Sequence, residues 1–203
     1  MTQANLSWIT PTLATGGDLS FNWKIAAAQT REILGYDFDQ IIDVRMEFND
    51  MRHWGRLGVP YLWLPADDRD GYHIPFVLFD AAVEAARGKN KVFVYCHMGI
   101  NRGPSVAYAI LLDQGVDAIK AFDMIRRARS VAAVYYAQDA LAAHHARAKA
   151  AHPGSFRVRA AQQEAKDLKA HMASIWTKVE RKRIDHIIRG LHGEDQVAYD
   201  ANG

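Results

Sequence analysis

The sequence predicts an α/β protein in which helices flank a central, mostly parallel β-sheet, with a helical extension at the C-terminal end. Two observations predict this class. Short apolar segments rich in β-branched and aromatic residues alternate with longer segments of helical periodicity, the order typical of α/β layers. Hydrophobic residues make up 49% of the 203 residues, enough for one sizeable core and a short appendage.

The individual elements follow from periodicity and from turn residues. Buried strands are predicted at 40–44, 61–64 and 92–95, the second of them ending at Pro65. Helices are predicted at 21–34, 50–58, 74–87, 105–115, 117–129 and 136–145. The run Pro153-Gly154-Ser155 interrupts this pattern and indicates a hinge. We therefore expect a body at 1–150 and a basic amphipathic extension at 151–203.

The extension is predicted to be one long helix that ends near Gly190. Its apolar stripe consists of Leu168, Met172, Ile175, Val179 and Ile187. Its basic cluster consists of Lys178, Arg181, Lys182 and Arg183. Such a cluster can bind nucleic acid or acidic lipid, but Glu180 and Asp185 are spaced for local ion pairs. We favour a solvated basic face, with the stripe packed against the body or against a second copy.

Composition limits the location of the protein. The chain has one cysteine, which excludes an intramolecular disulfide, and a reactive thiol is best kept in a reducing compartment. No segment approaches the ~20 apolar residues of a membrane span, and the first residues lack the features of a signal peptide. These observations predict a cytoplasmic protein.

The single cysteine, Cys96, lies at the entrance of a predicted strand–loop–helix unit. The apolar run 92–95 precedes it, Gly99 lies in the middle of the loop, and Arg102 follows six positions after the cysteine. Pro104 favours a helix start there. The amides of such a loop and the positive end of the helix dipole form an anion site, whose field favours the nucleophilic thiolate. The pattern predicts phosphoryl transfer through a cysteinyl-phosphate.

No cofactor or metal is expected at this loop. Although His97 adjoins Cys96, the sequence has no Cys-x-x-Cys pair and no second cysteine, so a zinc site lacks ligands. The alternative reading of Cys96 as a buried structural cysteine is disfavoured by the flanking pattern.

These residues resemble the signature H-C-x-x-G-x-x-R-S/T of the cysteine-dependent protein tyrosine phosphatases, in particular the dual-specificity type. The likeness extends over about 6–146, where 8–17 is similar to the family's opening strand pair, 38–44 to its first long central strand and 121–136 to the helix after the signature. The resemblance implies a phosphatase domain with Cys96 as nucleophile. The predicted phosphate-binding residues are His97, Met98, Gly99, Ile100, Asn101 and Arg102.

The resemblance also implies a general acid on a loop some thirty residues before the cysteine. Asp67, Asp68 and Asp70 are the candidates there. We favour Asp68, which matches the aspartate that follows the strand in the family, with Asp67 second and Asp70 third. Since aspartates also serve as turn residues near glycine, each of them alternatively has a purely structural role.

The chain departs from the family pattern at two positions. Tyr95 replaces the usual histidine before the cysteine, so the loop loses that support. Gly103 replaces the serine or threonine after the arginine, whose hydroxyl assists the departure of the thiolate; Ser105 lies two residues further on and is a partial substitute at best. We therefore expect slow hydrolysis of the phosphoenzyme relative to its formation.

The leading functional prediction is a phosphatase that acts on phosphotyrosine, and on phosphoserine or phosphothreonine, in proteins. The form C-x-x-G-x-N-R also resembles RNA 5′-triphosphatases, although Asn101 more commonly satisfies loop backbone. A phosphoinositide phosphatase is the other enzymatic alternative, disfavoured by the absence of lysine from the loop. A non-catalytic phospho-binding module is the alternative from a different class, kept open by Gly103.

Overall fold

The structure is a computed structural model that describes residues 3–69 and 72–176. In these ranges helices cover both faces of one sheet. The five strands are β1 Leu6–Thr10, β2 Leu13–Gly16, β3 Gln40–Arg45, β4 Tyr61–Ala66 and β5 Val92–Tyr95. The seven helices are α1 Trp23–Leu34, α2 Met51–Arg56, α3 Phe76–Ala86, α4 Arg102–Asp113, α5 Ala118–Ala128, α6 Ala137–Ala151 and α7 Val158–Ile175.

The strand order is β1-β2-β5-β3-β4. The β1–β2 pair is antiparallel, whereas β2–β5, β5–β3 and β3–β4 are parallel, which confirms the prediction of a mostly parallel sheet. The carboxyl ends of parallel strands lie at one edge, and ligands of α/β proteins bind in the crevice outside that edge. The loops after β2, β3, β4 and β5 therefore meet where a site is expected.

Alternation along β5 divides its side chains between two cores. Val92 and Val94 contribute to the larger core, beneath α3 to α7. Phe93 and Tyr95 contribute to the smaller core on the opposite face, together with Trp54 of α2. Because successive side chains of a strand point to opposite faces, Cys96 lies on the side of the larger core and Tyr95 is directed away from it.

The helix after the cysteine loop, α4, is the central helix of the larger layer. Every residue from Arg102 to Leu112 is buried, as expected of a helix that is apolar on all sides. Gly115, with φ +81°, lies just beyond its C-terminal end, in the left-handed conformation that commonly terminates helices. The first turn of α4 is thus held firmly against the cysteine loop.

Several predicted boundaries are wrong. The strand β4 continues through Pro65 to Ala66, because it is an edge strand, where a missing N–H costs no ladder bond. The helix α4 begins at Arg102, so Pro104 is its third residue and still replaces an N–H that has no intrahelical partner. The helix α6 extends to Ala151 rather than 145, because 146–151 is rich in alanine, the strongest helix former.

The described part of the predicted extension packs on the body. Helix α7 lies against α5 and α6, Leu168 is fully buried, and Met172 and Ile175 pack on the same core. Val179, Ile187 and the basic cluster 178–183 lie outside the described residues. The first half of the apolar stripe is therefore covered by the chain itself.

Within the ranges described, no helix combines the length and the apolar character that a bilayer crossing requires. A cytoplasmic location stays a prediction.

Candidate active site

The loop from His97 to Asn101 joins β5 to α4 and turns its carbonyl groups outward. The carbonyl oxygen of His97 accepts from Asp18 N (2.9 Å), that of Met98 from Arg129 Nη2 (3.1 Å) and that of Gly99 from Arg129 Nε (2.5 Å). The carbonyl oxygen of Ile100 accepts from Ala133 N (2.6 Å), and that of Asn101 from Ser105 N (2.9 Å). In the described part of the chain, the N–H groups of Met98, Gly99, Ile100 and Asn101 donate to no other protein group. The loop therefore presents its amides inward, as a cradle for an anion.

Gly99 allows this loop to lie against the end of β2. Its φ is +65°, and a Cβ at this position would lie 2.4 Å from the carbonyl carbon of Gly16, closer than any side chain tolerates. The amide of Cys96 donates to the Gly16 oxygen at 3.3 Å. The glycine predicted for the middle of the loop is thus required both by conformation and by space.

Arg129, the C-cap residue of α5, braces the outer side of the loop. Besides the two loop carbonyls, its guanidinium binds Asn5 Oδ1 (2.7 Å) and Ser7 Oγ (3.3 Å) near β1. Burial lowers the pKa of Arg129, while the charge of Cys96 acts in the opposite direction. Arg129 therefore holds the loop in place and carries its positive charge within electrostatic range of Cys96.

Arg102 is the first residue of α4 and is 4% exposed. Its Nη1 and Nη2 form a bidentate pair with Glu47 at 2.9 and 2.7 Å, and Nη1 also donates to Ala66 O at 3.0 Å. Its Nε is buried and has no hydrogen-bond acceptor among the described residues. The edge formed by Nε and the second hydrogen of Nη2 can therefore bind two oxygens of a ligand beside the Asp68 carboxylate, which lies 3.5 Å from Nε.

Glu47 lies on the loop after β3 and fixes the orientation of this guanidinium. Burial acts to raise the pKa of Glu47, but the hydrogen bonds from Arg102 outweigh it and lower the pKa to about 2. Burial likewise acts to lower the pKa of Arg102, whereas Glu47 and the charge of Cys96 raise it further, so that the net shift is upward. Both partners are charged at any physiological pH.

Asp68 lies on the opposite side of Arg102. Its Oδ2 is 3.5 Å from Arg102 Nε, and its Oδ1 accepts hydrogen bonds from Asn101 Nδ2 (2.6 Å) and Tyr136 OH (3.0 Å). Desolvation raises the pKa of Asp68, against the lowering effects of Arg102, Asn101 and Tyr136. Its side chain keeps 38% exposure, so a ligand can reach a carboxyl group that holds its proton to higher pH than usual.

The two other aspartates have different places. Asp67 Oδ1 accepts hydrogen bonds from the amides of Asp68 (2.7 Å) and Arg69 (3.2 Å), and its other oxygen pairs with the Arg69 side chain. Asp67 therefore caps the turn that presents Asp68. Asp70 lies outside the described residues.

The loop between α5 and α6 holds the cysteine loop from a third side. Val134 is fully buried with φ +51°, a conformation that costs a β-branched residue about 1–3 kcal/mol. The residues beside it bind the site: Ala133 N reaches Ile100 O, Tyr135 N donates to Asn101 Oδ1 (2.7 Å), and Tyr136 N donates to Ser105 Oγ (3.3 Å). The side-chain amide of Asn101 is thereby held at its nitrogen, which donates to Asp68, and at its oxygen, which accepts from Tyr135 N.

Tyr95 does not replace the missing histidine as a support within the loop. Its hydroxyl accepts from Arg45 Nη2 at 3.0 Å, on the other face of the sheet. Arg45 is 2% exposed and binds three carboxylates: Asp43 (2.7 Å), Asp18 (2.5 Å) and Asp50 (2.5 Å). Since the Asp18 amide also binds the carbonyl of His97, this buried cluster supports the loop from beneath.

Gly103 and Ser105 lie in the first turn of α4, beside the cysteine loop. A Cβ on Gly103 would lie 3.1 Å from Cys96 N and 3.2 Å from Tyr95 C, so any side chain there requires a small backbone shift. The Ser105 hydroxyl accepts the Tyr136 amide and serves to hold the α5–α6 loop. Gly103 has no hydroxyl, and no hydrogen bond joins the Ser105 hydroxyl to Cys96 among the described residues.

The structure brings Cys96, Arg102 and Asp68 together at the carboxyl edge of the sheet. Sequence reasoning missed Glu47, Arg129 and Tyr136, each of which is remote from the cysteine in the chain. The arginine-rich stretch before an aromatic, at 126–136, was a weak signal for Arg129 and Tyr136. Glu47 carries no local signal, because only the path of the chain after β3 brings it to Arg102.

No protein-family model and no curated protein matches the sequence. Among solved structures, PTPMT1 in complex with PI(5)P is similar at 20% identity and a TM-score of 0.56, over 71% of this chain and 99% of that protein. Human DUSP28 is similar at 21% identity and a TM-score of 0.57, over 71% and 95%. The core catalytic domain of the PP-IP phosphatase SIW14 from S. cerevisiae, in complex with citrate, is similar at 14% identity and a TM-score of 0.58. This match covers 75% of this chain and 93% of that one.

At these identities the similarity establishes the fold, and each match spans nearly the whole of the other chain. The chain therefore has the fold of the cysteine-dependent protein tyrosine phosphatases of the dual-specificity type.

Proposed function

We propose that the protein hydrolyses phosphomonoesters, phosphotyrosine in proteins first among them and phosphoserine or phosphothreonine as well, through a cysteinyl-phosphate on Cys96. The observation that carries this proposal is the loop itself. All five loop carbonyls accept hydrogen bonds, and the amides of Met98 to Asn101 donate to no other described group. The Nε of Arg102 makes no hydrogen bond among the described residues and lies 3.5 Å from Asp68. Such an array matches the charge that spreads over three oxygens of a transferring phosphoryl group.

The reaction has two balanced steps. In the first, the Cys96 thiolate forms an S–P bond while the ester P–O bond breaks, and the departing oxygen takes the proton of Asp68. In the second, water attacks phosphorus, the Asp68 carboxylate takes a proton from that water, and the S–P bond breaks to restore the thiolate. Arg102 and the loop amides bind the phosphoryl oxygens throughout.

An aromatic pair at the rim supports phosphotyrosine as the preferred ester. Phe21 and Phe48 are 50% and 45% exposed, with ring centroids 6.1 Å apart, and Phe21 lies 6.3 Å from the ring of His97. Exposed rings of this kind can pack on the aromatic ring of the substrate. The Asn101 amide is engaged by Asp68 and Tyr135, so it supports the loop and supplies no argument for RNA.

A substrate panel tests the proposal. Phosphate release would be followed from a phosphotyrosine peptide, a phosphothreonine peptide, a phosphoinositide and a 5′-triphosphate RNA. We expect kcat/KM to be highest for the phosphotyrosine peptide. Release from the RNA or the phosphoinositide alone would replace the proposed substrate class, and release from none of them would make the protein a phospho-binding module.

Asp68→Asn is expected to lower kcat for phosphotyrosine about 10²-fold, since the leaving oxygen then departs unprotonated. An aryl phosphate whose phenol is acidic needs less proton transfer to its leaving oxygen, so Asp68→Asn should lower kcat for that substrate much less. Because burial raises the pKa of Asp68, the wild-type rate should persist above the range of an ordinary aspartate and fall as the pH rises through that pKa. The variant should lack this alkaline limb; a variant that keeps it would assign the acid elsewhere.

Asn101→Ala is expected to act through Asp68. The change removes the 2.6 Å donor to Asp68 and the acceptor of the Tyr135 amide, so the carboxyl group loses its orientation. We expect kcat to fall about tenfold, within the range of one positioning hydrogen bond. In an Asp68→Asn background the same change should have almost no further effect on kcat. Full additivity of the two losses would contradict a positioning role.

A further inference from the structure

A groove between α1 and α2 lies beside the candidate active site. One face of α1 forms its first wall, and the loop before α2 with α2 itself forms the second. The lining residues that matter for charge are Arg31 on α1 and Arg52 and Arg56 on α2. The groove has a volume of about 770 Å³, within the range of ligand-binding pockets.

The groove has an apolar floor and a positively charged rim. Ala26, Ala27 and Leu34 line one wall, while Arg31, Arg52 and Arg56 are exposed. None of the three arginines forms an ion pair with a described residue. Three positive charges over an apolar surface are complementary to a segment that alternates acidic and apolar side chains.

The carboxylates nearest the groove are already engaged elsewhere. Asp50 also lines it, but its Oδ2 binds the buried Arg45 at 2.5 Å. Glu32 of α1 accepts from Ala4 N (2.7 Å) and Tyr36 OH (3.0 Å), away from the groove. Among the residues described, none of the three arginines forms an ion pair with these carboxylates, so their guanidinium groups are available to acidic side chains of a ligand.

One end of the groove, at Trp23 and Asn49, lies near the phosphate site, because Phe21, two residues before Trp23, lies 6.3 Å from the ring of His97. Glu47 binds Arg102, and Asn49, two residues later, lines the groove, so their Cα atoms lie within about 8 Å of each other. Along α1, the face from Trp23 to Leu34 spans roughly 16 Å, which accommodates about five extended residues. A peptide whose phosphorylated residue occupies the cysteine loop can thus place its neighbouring residues in the groove.

We propose that the α1–α2 groove binds the acidic residues that flank the phosphorylated residue of a protein substrate. This inference rests on the proposed function and specifies which phosphoproteins it favours. The concave shape and the alanine floor suit an extended peptide. They do not suit a bilayer surface, which is flat.

The test compares two phosphotyrosine peptides that differ only in whether the flanking residues include three glutamates or three glutamines. We expect about a tenfold lower KM for the glutamate peptide, the combined effect of three exposed ion pairs. Its advantage should fade as salt is added. In the double variant Arg31→Glu, Arg56→Glu the preference should disappear or invert, with kcat/KM for a small aryl phosphate unchanged.

The matched control is Lys149→Glu with Arg159→Glu, which makes the same change in net charge on α6 and α7, where both side chains are exposed. It should keep the preference of the wild type. Equal KM values for the two peptides in the wild type, or a preference that survives charge reversal at Arg31 and Arg56, would overturn the proposal. So would loss of self-association, measured by sedimentation, in the groove variant, because a second copy would then be the occupant.

A binding measurement separates this proposal from the proposed function. Anisotropy of labelled, unphosphorylated glutamate and glutamine peptides would be measured with the wild-type protein. The groove predicts tighter binding of the glutamate peptide even if no ester is hydrolysed. Turnover of the aryl phosphate with no difference between these peptides would leave the catalytic proposal standing and refute the groove.

Discussion

Cys96→Ser should abolish turnover, with kcat reduced on the order of 10⁴-fold or more for every phosphomonoester. A serine hydroxyl in the same position is not ionised at physiological pH, whereas a thiol readily supplies a thiolate. Initial rates with a phosphotyrosine peptide and an aryl phosphate measure the loss.

The same variant should still bind phosphate esters. The inward amides and the free edge of Arg102 are unchanged, and these groups hold the phosphoryl oxygens. Isothermal titration with a phosphotyrosine peptide should therefore give a dissociation constant close to the KM of the wild type. A turnover rate of the variant within about tenfold of the wild-type rate would refute the mechanism. So would a loss of affinity for the phosphotyrosine peptide as large as the loss of turnover.

Arg102→Lys has the second largest expected effect, a fall in kcat/KM of about 10³-fold. The planar guanidinium binds Glu47 and Ala66 on one side and offers Nε and Nη2 to the phosphoryl group on the other. An ammonium group cannot do both, since it is a single point of charge with no planar fork. Loss of the bidentate pair also leaves Glu47 with a weaker partner, so the melting temperature should fall as well.

Glu47→Gln is the matched control for this effect. It keeps a side chain of the same shape that accepts one hydrogen bond from Arg102, and it leaves the ligand-facing edge intact. Its loss in kcat/KM should be much smaller than that of Arg102→Lys. If the two variants lose the same activity, the anchor to Glu47 rather than the edge that faces the phosphoryl group is the property that matters.

The strand, loop and central helix were predictable because their signals are local. The run 92–95 has the composition of a buried strand, Gly99 is required by its own conformation, and Gly115 ends α4. Side-chain alternation along β5 also explains Tyr95: a residue adjacent to Cys96 in a strand points to the opposite face, where Arg45 and Asp43 bind it. Support for the cysteine loop comes instead from Asp18, Arg129 and Ala133, whose N–H groups bind its carbonyls.

The remaining parts of the site depend on long-range contacts that no local pattern encodes. Glu47 reaches Arg102 across 55 positions, and Arg129 reaches Gly99 across 30. The strained Val134 has a side chain typical of a strand, and only the packing of the α5–α6 loop forces its left-handed conformation. Boundaries such as Pro65 in β4 were missed because edge position, which permits proline, is a property of the assembled sheet.

The most direct test of the account is to trap the phosphoenzyme. The wild-type protein would be mixed with an aryl phosphate, quenched rapidly in acid and digested, and the peptides weighed by mass spectrometry. Because Gly103 offers no hydroxyl to the departing thiolate, the intermediate should accumulate, with a burst of phenol and one phosphoryl group on the peptide that contains Cys96. Steady release of phenol with no burst, and no phosphoryl group on that peptide, would contradict a cysteinyl-phosphate mechanism.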